Sequence, residues 1–303
     1  MEEYSYHQPV LLHDCITGLN IKEDGKYADV TFGGGGHSRE IISHLGKNGK
    51  LFAFDQDADA AKNVWKDERL IFVPQNFRYL KNFIRLHGIR ELDGILADLG
   101  VSSHQFDEGE RGFSIRTDAR LDMRMNRSGK LTAETVINEY EEGKIRAILD
   151  TYGEIENAAK LALAIVRARE ENRIQTTRQL SEIAVKFVRK KEKEHQYLAR
   201  VFQALRIEVN EEITALKDFL DQSMEILKPG GRLVVMSYHS LEDRLVKNKM
   251  KTGDTSGEIK KDFFGNIFRP FHLITKKPIE ASEKEKTINS RSRSAKLRIA
   301  EKI

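Results

Sequence analysis

Four consecutive glycines, Gly33 to Gly36, are followed by His37 and Ser38 and then, where the next apolar run closes, by Asp55. Glycine lets a ligand approach the backbone where any Cβ would collide with it. An acid about 20 residues beyond such a loop is placed to accept hydrogen bonds from both hydroxyls of a ribose. A nucleoside-bearing ligand is therefore expected across Gly33, Gly35, Gly36 and His37, with its sugar at Asp55. A dinucleotide would need glycine at the first, third and sixth places, but counting from Gly33 or Gly34 puts Ser38 or Arg39 at the sixth. S-adenosylmethionine carries a ribose and no phosphate, so it needs the glycines and the acid without an anion pocket. Its sulfonium also tolerates acids such as Asp29 and Asp98 nearby. A plain glycine turn accounts for one or two glycines more readily than for four followed by a spaced Asp.

Two further clusters carry chemistry. Asp98 opens the run Asp98-Leu99-Gly100-Val101-Ser102-Ser103-His104-Gln105 at the end of an apolar stretch. An acid followed by a tight turn suits methylation of an exocyclic amine, whose lone pair is delocalised into its base. Acceptors for the N–H bonds favour attack by nitrogen, and Asp98 is a candidate for that role or for binding the donor's own amino group. The methylated nitrogen is strongly acidic, so a carboxylate or water suffices to take its proton. The second cluster is Ser237-Tyr238-His239-Ser240-Leu241-Glu242-Asp243-Arg244. Here Ser237 and His239 are candidates for binding the acceptor and Tyr238 for stacking on a base, while Ser240 with Asp243 is expected to cap the next helix. The histidines His7, His13, His37, His44 and His104 lack the paired spacing of a metal site, and no Gly-x-Ser-x-Gly elbow points to a hydrolase.

The elements that must position these residues alternate. Strands are expected at Tyr27–Phe32, Lys50–Asp55, Leu70–Pro74, Asp93–Leu99 and Arg232–Tyr238, with two more at Phe271–Ile279 and Lys296–Ala300. Helices are expected at Pro9–Leu19, His37–Leu45, Ala58–Trp65 and Arg78–Leu86. Alternation implies parallel pairing with helices on both faces, and the last two strands, lacking a helix between them, imply an antiparallel finish. The predicted fold is α/β, a doubly wound seven-strand sheet of the class I methyltransferase (Rossmann-like) kind. About 130 residues separate the fourth and fifth strands, far more than one crossover helix needs. An inserted helical subdomain is expected over 106–195, between a first methyltransferase part at 1–105 and a second at 196–303. Its helices carry Ile155 to Val166 and, behind a Thr176/Gln179 capping box, Leu180 to Val188. A third helix is expected to run from about Tyr197 through Leu216.

The chain has 303 residues, 32% charged and 39% hydrophobic, and a mean hydropathy of −0.53. It is long enough for a sizeable core and has no apolar run long enough to span a bilayer. The acidic N-terminus lacks a signal-peptide core and Cys15 is the single cysteine, so a cytoplasmic protein is expected. Net charge is only +4. The distribution says more: Lys186, Arg189, Lys190, Lys191 and Lys193 crowd one segment, and Arg291, Arg293, Lys296 and Arg298 alternate with serines near the C-terminus. Guanidinium and hydroxyl donors together suit phosphate contact.

Several segments together resemble the bacterial RsmH (MraW) family. They are His7-Gln8-Pro9-Val10-Leu11-Leu12, Thr31 to Ser38, Asp98 to Asp107, Arg111-Gly112-Phe113-Ser114, Leu121-Asp122-Met123-Arg124-Met125, Arg206-Ile207 with Asn210, Ser237 to Arg244, and Ser294-Ala295-Lys296-Leu297-Arg298. The resemblance implies an enzyme that uses S-adenosylmethionine to methylate N4 of a cytidine in the decoding region of 16S rRNA, in the small ribosomal subunit. It implies donor contacts at Gly35, Gly36, His37, Asp55 and Asp98, and it adds Phe77, beside the adenine, and Gln105. With the motifs matched, Arg111, Arg124 and Arg206 join Arg291 and Arg293 as candidates for RNA contact, and a homodimer is left open. The resemblance departs at two positions: Arg120 stands where the family often has proline, and Ser290 where it has proline near the C-terminus. A nucleotide-dependent oxidoreductase and a non-catalytic ribosome assembly factor are the competing readings.

Overall fold

A computed structural model of the chain describes residues 9–102, 109–259, 261, 263–265 and 267–303. His7, Gln8 and the 103–107 part of the Asp98 run, Gln105 included, lie outside the described residues. The chain forms two compact units, one of 1–100 with 213–303 and one of 101–212.

Among the described residues, seven strands of the first unit make one sheet: β1 (Lys26–Asp29), β2 (Lys50–Phe54), β3 (Leu70–Val73), β4 (Leu92–Asp98), β5 (Leu227–Ser237), β6 (Phe271–Leu273) and β7 (Lys296–Lys302). Their order is β3-β2-β1-β4-β5-β7-β6. The first five pair in parallel and β7 runs antiparallel between β5 and β6. This is the class I methyltransferase, Rossmann-like sheet, with the reversed final pair that the missing helix implied. Helices α1 (Leu12–Leu19), α2 (Gly36–His44) and α3 (Leu80–Leu86) precede or separate the early strands. Helices α4 (Ala133–Glu139), α5 (Glu142–Thr151), α6 (Ala158–Glu171), α7 (Thr177–Val185) and α8 (Glu194–Val209) build the second unit. Helices α9 (Glu212–Ile226), α10 (Ser240–Thr252) and α11 (Glu283–Ile288) follow.

Both faces of the sheet are covered, which is why its central strands read as continuous apolar runs. Successive residues serve opposite cores: Ile95, Ala97, Leu233 and Val235 enter one, and Leu96, Val234 and Met236 the other. The register Ile95↔Leu233 and Ala97↔Val235 keeps each set on its own face. Pairing between β4 and β5 starts at Leu92↔Leu227, breaks, and resumes at Gly94↔Arg232. The Lys228-Pro229-Gly230-Gly231 turn is thus an irregularity within β5.

Three expectations need correction. Ala58–Trp65 forms a 3₁₀ helix over Ala58–Asn63 only, capped by the Asp57 carboxylate, which accepts from the Asp59 N–H at 3.1 Å. The helix expected through Tyr197 to Leu216 is two helices, because Glu211 takes φ +50 and breaks the ladder between α8 and α9. The β6 strand stops at Leu273, although Ile279 still bridges Leu297.

In the second unit, one core gathers Leu161, Ala162 and Ile165 of α6, Leu180 and Ala184 of α7, and Val201 and Leu205 of α8. The i, i+3, i+4 spacing puts each set on one helix face. The Thr176/Gln179 capping box opens α7. Because α8 belongs to this core, the compact unit extends to 212, past the boundary at 195 read from sequence.

Candidate active site

Parallel pairing brings the carboxyl ends of β1, β2, β4 and β5 to one edge of the sheet. Asp29 ends β1, Asp55 follows β2, Asp98 ends β4 and Ser237 ends β5. In open α/β sheets ligands bind at this edge, beside the point where strand order reverses. Here that point lies between β1 and β4.

The glycine turn crosses the edge between β1 and α2. Gly35 is the residue before α2 and sits at φ +76, a conformation that disfavours any side chain. A Cβ on Gly35 would also come within 3.1 Å of the Phe32 and Trp65 rings, and one on Gly36 would lie 2.3 Å from Pro9 Cγ. At these two glycines close approach is therefore imposed by the protein's own packing. The turn is tied down from both sides: the Gly33 N–H donates to Asp55 Oδ2 at 2.8 Å, and Asn63 Nδ2 donates to the Gly33 carbonyl at 3.0 Å. Neither Asn63 nor Trp65 was singled out from sequence; both fall in a stretch expected to be an ordinary helix. His37 is buried, with Nε2 3.2 Å from the Val10 carbonyl.

Asp55 also accepts the Asp57 N–H at 2.8 Å on Oδ1. Each carboxylate oxygen thus holds one backbone donor and has a second lone pair left for a hydroxyl. Burial raises the Asp55 carboxyl to about 6, against the opposing pull of those two N–H groups. Asp98 is raised to about 6 as well, first by burial, while His37 and the Tyr238 hydroxyl, donating to Oδ1 at 2.7 Å, draw it down. Its own N–H donates to Thr31 Oγ1 at 2.7 Å. Asp29 is buried and also raised by burial; it accepts from Ser38 Oγ at 2.7 Å and from the Thr31 N–H at 3.1 Å. Three carboxylates therefore line one sheet edge, each held against the cost of desolvation. Thr31, which ties Asp29 to Asp98, carried no sequence signal beyond its place in the glycine motif.

The Ser237–Arg244 cluster is more structural than its sequence implied. Ser237 is buried, and its hydroxyl donates to the Lys296 carbonyl at 3.4 Å across the β5–β7 pair. Tyr238 joins the acid edge through Asp98, and its phenol is pushed well above the ordinary tyrosine range by burial and by that carboxylate. The helix cap falls on His239, not on Ser240: its ring accepts from the Glu242 N–H at 3.5 Å, and Ser240 is the first helical residue. Glu242 in turn accepts the Tyr238 N–H at 3.0 Å and lies 3.1 Å from His239 Nε2. Phe77 is half-buried, with its ring edge against Phe219 at 5.4 Å.

The arginines divide. Arg111 is 4% exposed and its guanidinium donates to the carbonyls of Arg124 and Met125, so it fastens its own loop and has no surface from which to reach RNA. Arg124 is engaged with both Asp122 oxygens and with the Arg127 and Gly129 carbonyls, and Arg206 is bidentate to Glu212. Arg298 is buried on Asp243. Arg293 is exposed, and Arg291 is half-buried. Among the described residues no group of three or more His, Cys, Asp or Glu could hold a metal ion, and no helix is long and apolar enough to cross a membrane.

Residues 4–303 match the MraW methylase family. The chain belongs to that family. Curated relatives named Ribosomal RNA small subunit methyltransferase H agree with it end to end. The Bacteroides fragilis protein is 57% identical over 301 residues, 99% of each chain. The Flavobacterium johnsoniae protein is 57% identical over 298 residues, 98% of each, and the Bacteroides thetaiotaomicron protein 56% over 301 residues, 99% of each.

Proposed function

We propose that the protein is a cytoplasmic, S-adenosylmethionine-dependent methyltransferase acting on N4 of a cytidine in the decoding region of 16S rRNA. The observation that carries this reading is the match of nearly the whole chain to a family whose curated relatives bear the name Ribosomal RNA small subunit methyltransferase H. The sheet edge supports it independently. Asp55 retains acceptor capacity for two ribose hydroxyls, and the three carboxylates Asp29, Asp55 and Asp98 give the edge the negative potential that a sulfonium cation needs.

When bound, S-adenosylmethionine supplies an electrophilic methyl group for transfer to nitrogen. The chain's own residues do the rest. Asp55 holds the sugar, Phe77 borders the adenine, and the Gly33–His37 turn lies beneath the nucleoside. Asp98, fixed by Thr31 and Tyr238, accepts from the reacting amine or from the donor's amino group. Alignment of this kind can supply about 7 to 11 kcal/mol of the barrier. Arg291 and Arg293 contact RNA phosphate, and the assembled small subunit is the substrate.

The test is incubation of the protein with methyl-labelled S-adenosylmethionine and small-subunit particles from cells lacking the activity. Label should enter one decoding-region cytidine. Particles that stay unlabelled would overturn the reading.

A further inference from the structure

Beyond the sheet edge, the first unit carries an apolar surface that no part of the proposed reaction uses. Between α10 and β6, among the described residues, Lys261 bridges Ile267 in antiparallel sense, the base of a hairpin-like arm. Phe263 and Phe264 at its tip are 98% and 85% exposed, with ring centroids 5.6 Å apart and planes at 88°. Ile259, Ile267 and Phe268 on its arms are also exposed. Single exposed apolar residues are ordinary, but two adjacent phenylalanines bare to solvent, with three more large apolar residues beside them, mark an interaction surface.

The base of the hairpin is fastened. Phe268 and Pro270 pack against Gly253, where a Cβ would come within 2.9 Å of the Phe268 ring, and Gly253 is the left-handed residue (φ +77) that ends α10. Lys249, buried in the last turn, pairs with Asp221 and donates to the Gly253 carbonyl at 2.9 Å. The rings are thus presented on an anchored arm.

The charge around them selects the partner. Among the described residues, Lys251, Lys261 and Arg269 are exposed on this arm and the end of α10, against one exposed acid, Glu258. Protein interfaces are depleted in lysine at their centres. A symmetric contact between two copies of the chain would set Lys261 and Arg269 against like charges. Exposed aromatics among basic side chains are the arrangement that stacks unpaired nucleic-acid bases while tracking the phosphates.

We infer that the hairpin tip is a second RNA-docking element, on which Phe263 and Phe264 stack unpaired bases of the same RNA whose cytidine is modified. The inference rests on the reading of RNA as substrate. Helix α10 starts beside Tyr238 and His239 at the sheet edge and runs 13 residues toward the hairpin. That is about 20 Å, or about six nucleotides at 3.4 Å per step. The element grips RNA well outside the reacting nucleotide and acts on affinity, leaving the chemistry alone.

The experiment compares wild type, the double variant Phe263→Ala/Phe264→Ala and the double variant Phe263→Trp/Phe264→Trp. Binding to small-subunit particles from cells lacking the modification is measured by filter retention, donor affinity by calorimetry and methyl transfer by label. The alanine variant should bind particles about tenfold or more weakly and show a raised KM for particles with kcat and donor affinity unchanged. The tryptophan variant should restore binding. Equal particle affinity in wild type and alanine variant overturns the inference. So does a dimer that becomes monomeric in the alanine variant by light scattering, or lost sedimentation with phosphatidylglycerol vesicles, if particle binding is untouched. Hairpin-dependent particle binding without any methyl transfer by wild type would uphold the docking element and sink the enzymatic reading, so the two failures are separable.

Discussion

Replacing Asp98 by Asn should make the protein more stable and much less active, and the gain in stability should grow with pH. Burial raises the Asp98 carboxyl from 3.8 to about 6 in the folded state. The folded chain therefore holds a proton there more tightly than the unfolded chain does. The stability that proton contributes is present at low pH and is lost as pH rises from the unfolded value through the folded one. At 1.36 kcal/mol per pH unit the whole difference is about 3 kcal/mol, an upper bound because the side chain is only half-buried. An amide carries no such charge, and its oxygen can still accept the Tyr238 hydroxyl. From these two values the variant's advantage over wild type is about 2 kcal/mol at pH 5 and about 3 at pH 8. The change with pH, about 1 kcal/mol, is the informative quantity, because packing differences between Asp and Asn do not vary with pH. Urea denaturation of both proteins at pH 5, 6, 7 and 8 measures it by linear extrapolation. Methyl transfer by the variant should fall about 100-fold or more. A stability difference that stays flat across this range would refute the claim that the edge holds a costly carboxylate for function.

Other outcomes follow from particular contacts. Tyr238→Phe removes a charge-assisted bond worth about 1.5 to 3 kcal/mol; since that bond favours the carboxylate, its loss raises the Asp98 carboxyl further, and the acid limb of kcat/KM should move up by about one pH unit. An unmoved limb would detach Asp98 ionisation from activity. Asn210→Ala leaves the Met125 N–H and the Met123 carbonyl without the partner they have at 2.7 and 2.8 Å, which should cost about 1 to 3 kcal/mol in denaturant unfolding with donor affinity preserved; a change below about 0.5 kcal/mol would mean the 123–125 loop is held elsewhere. Arg293→Ala should weaken particle binding and reduce the slope of log affinity against log salt by about one. A slope equal to that of wild type would return Arg293 to plain solvated surface.

Much of the sheet was legible because burial on both faces forces short, wholly apolar strands, and their spacing reveals the crossovers. What escaped were places where a side chain bonds over distance. Residues Ala58 to Asn63 have helical composition, yet Asp57 caps a tighter turn and Asn63 reaches back to Gly33. The break at Glu211 has no proline or glycine to announce it; it sits beside Asn210, whose amide is committed to Met123 and Met125. Arg111 entered as a candidate for RNA contact through its matched motif, whereas the two carbonyls it satisfies account for its burial. Similarly, Ser240 looked like the cap because serine commonly is one, whereas the ring of His239 takes that N–H. Arg120 donates to the buried Glu134 carboxylate at 3.0 Å, as Arg173 does at 2.8 Å. At the sheet edge, glycine and acid spacing pointed to Asp55 and Asp98. The ties through Thr31 and Tyr238 that hold Asp98 needed three dimensions.

The most direct test is a crystal structure of the protein soaked with S-adenosylmethionine. Both ribose hydroxyls should lie within hydrogen-bonding distance of the Asp55 carboxylate, with the nucleoside over the Gly33–His37 turn. Density for the compound elsewhere on the chain, or a ribose turned away from Asp55, would contradict the account.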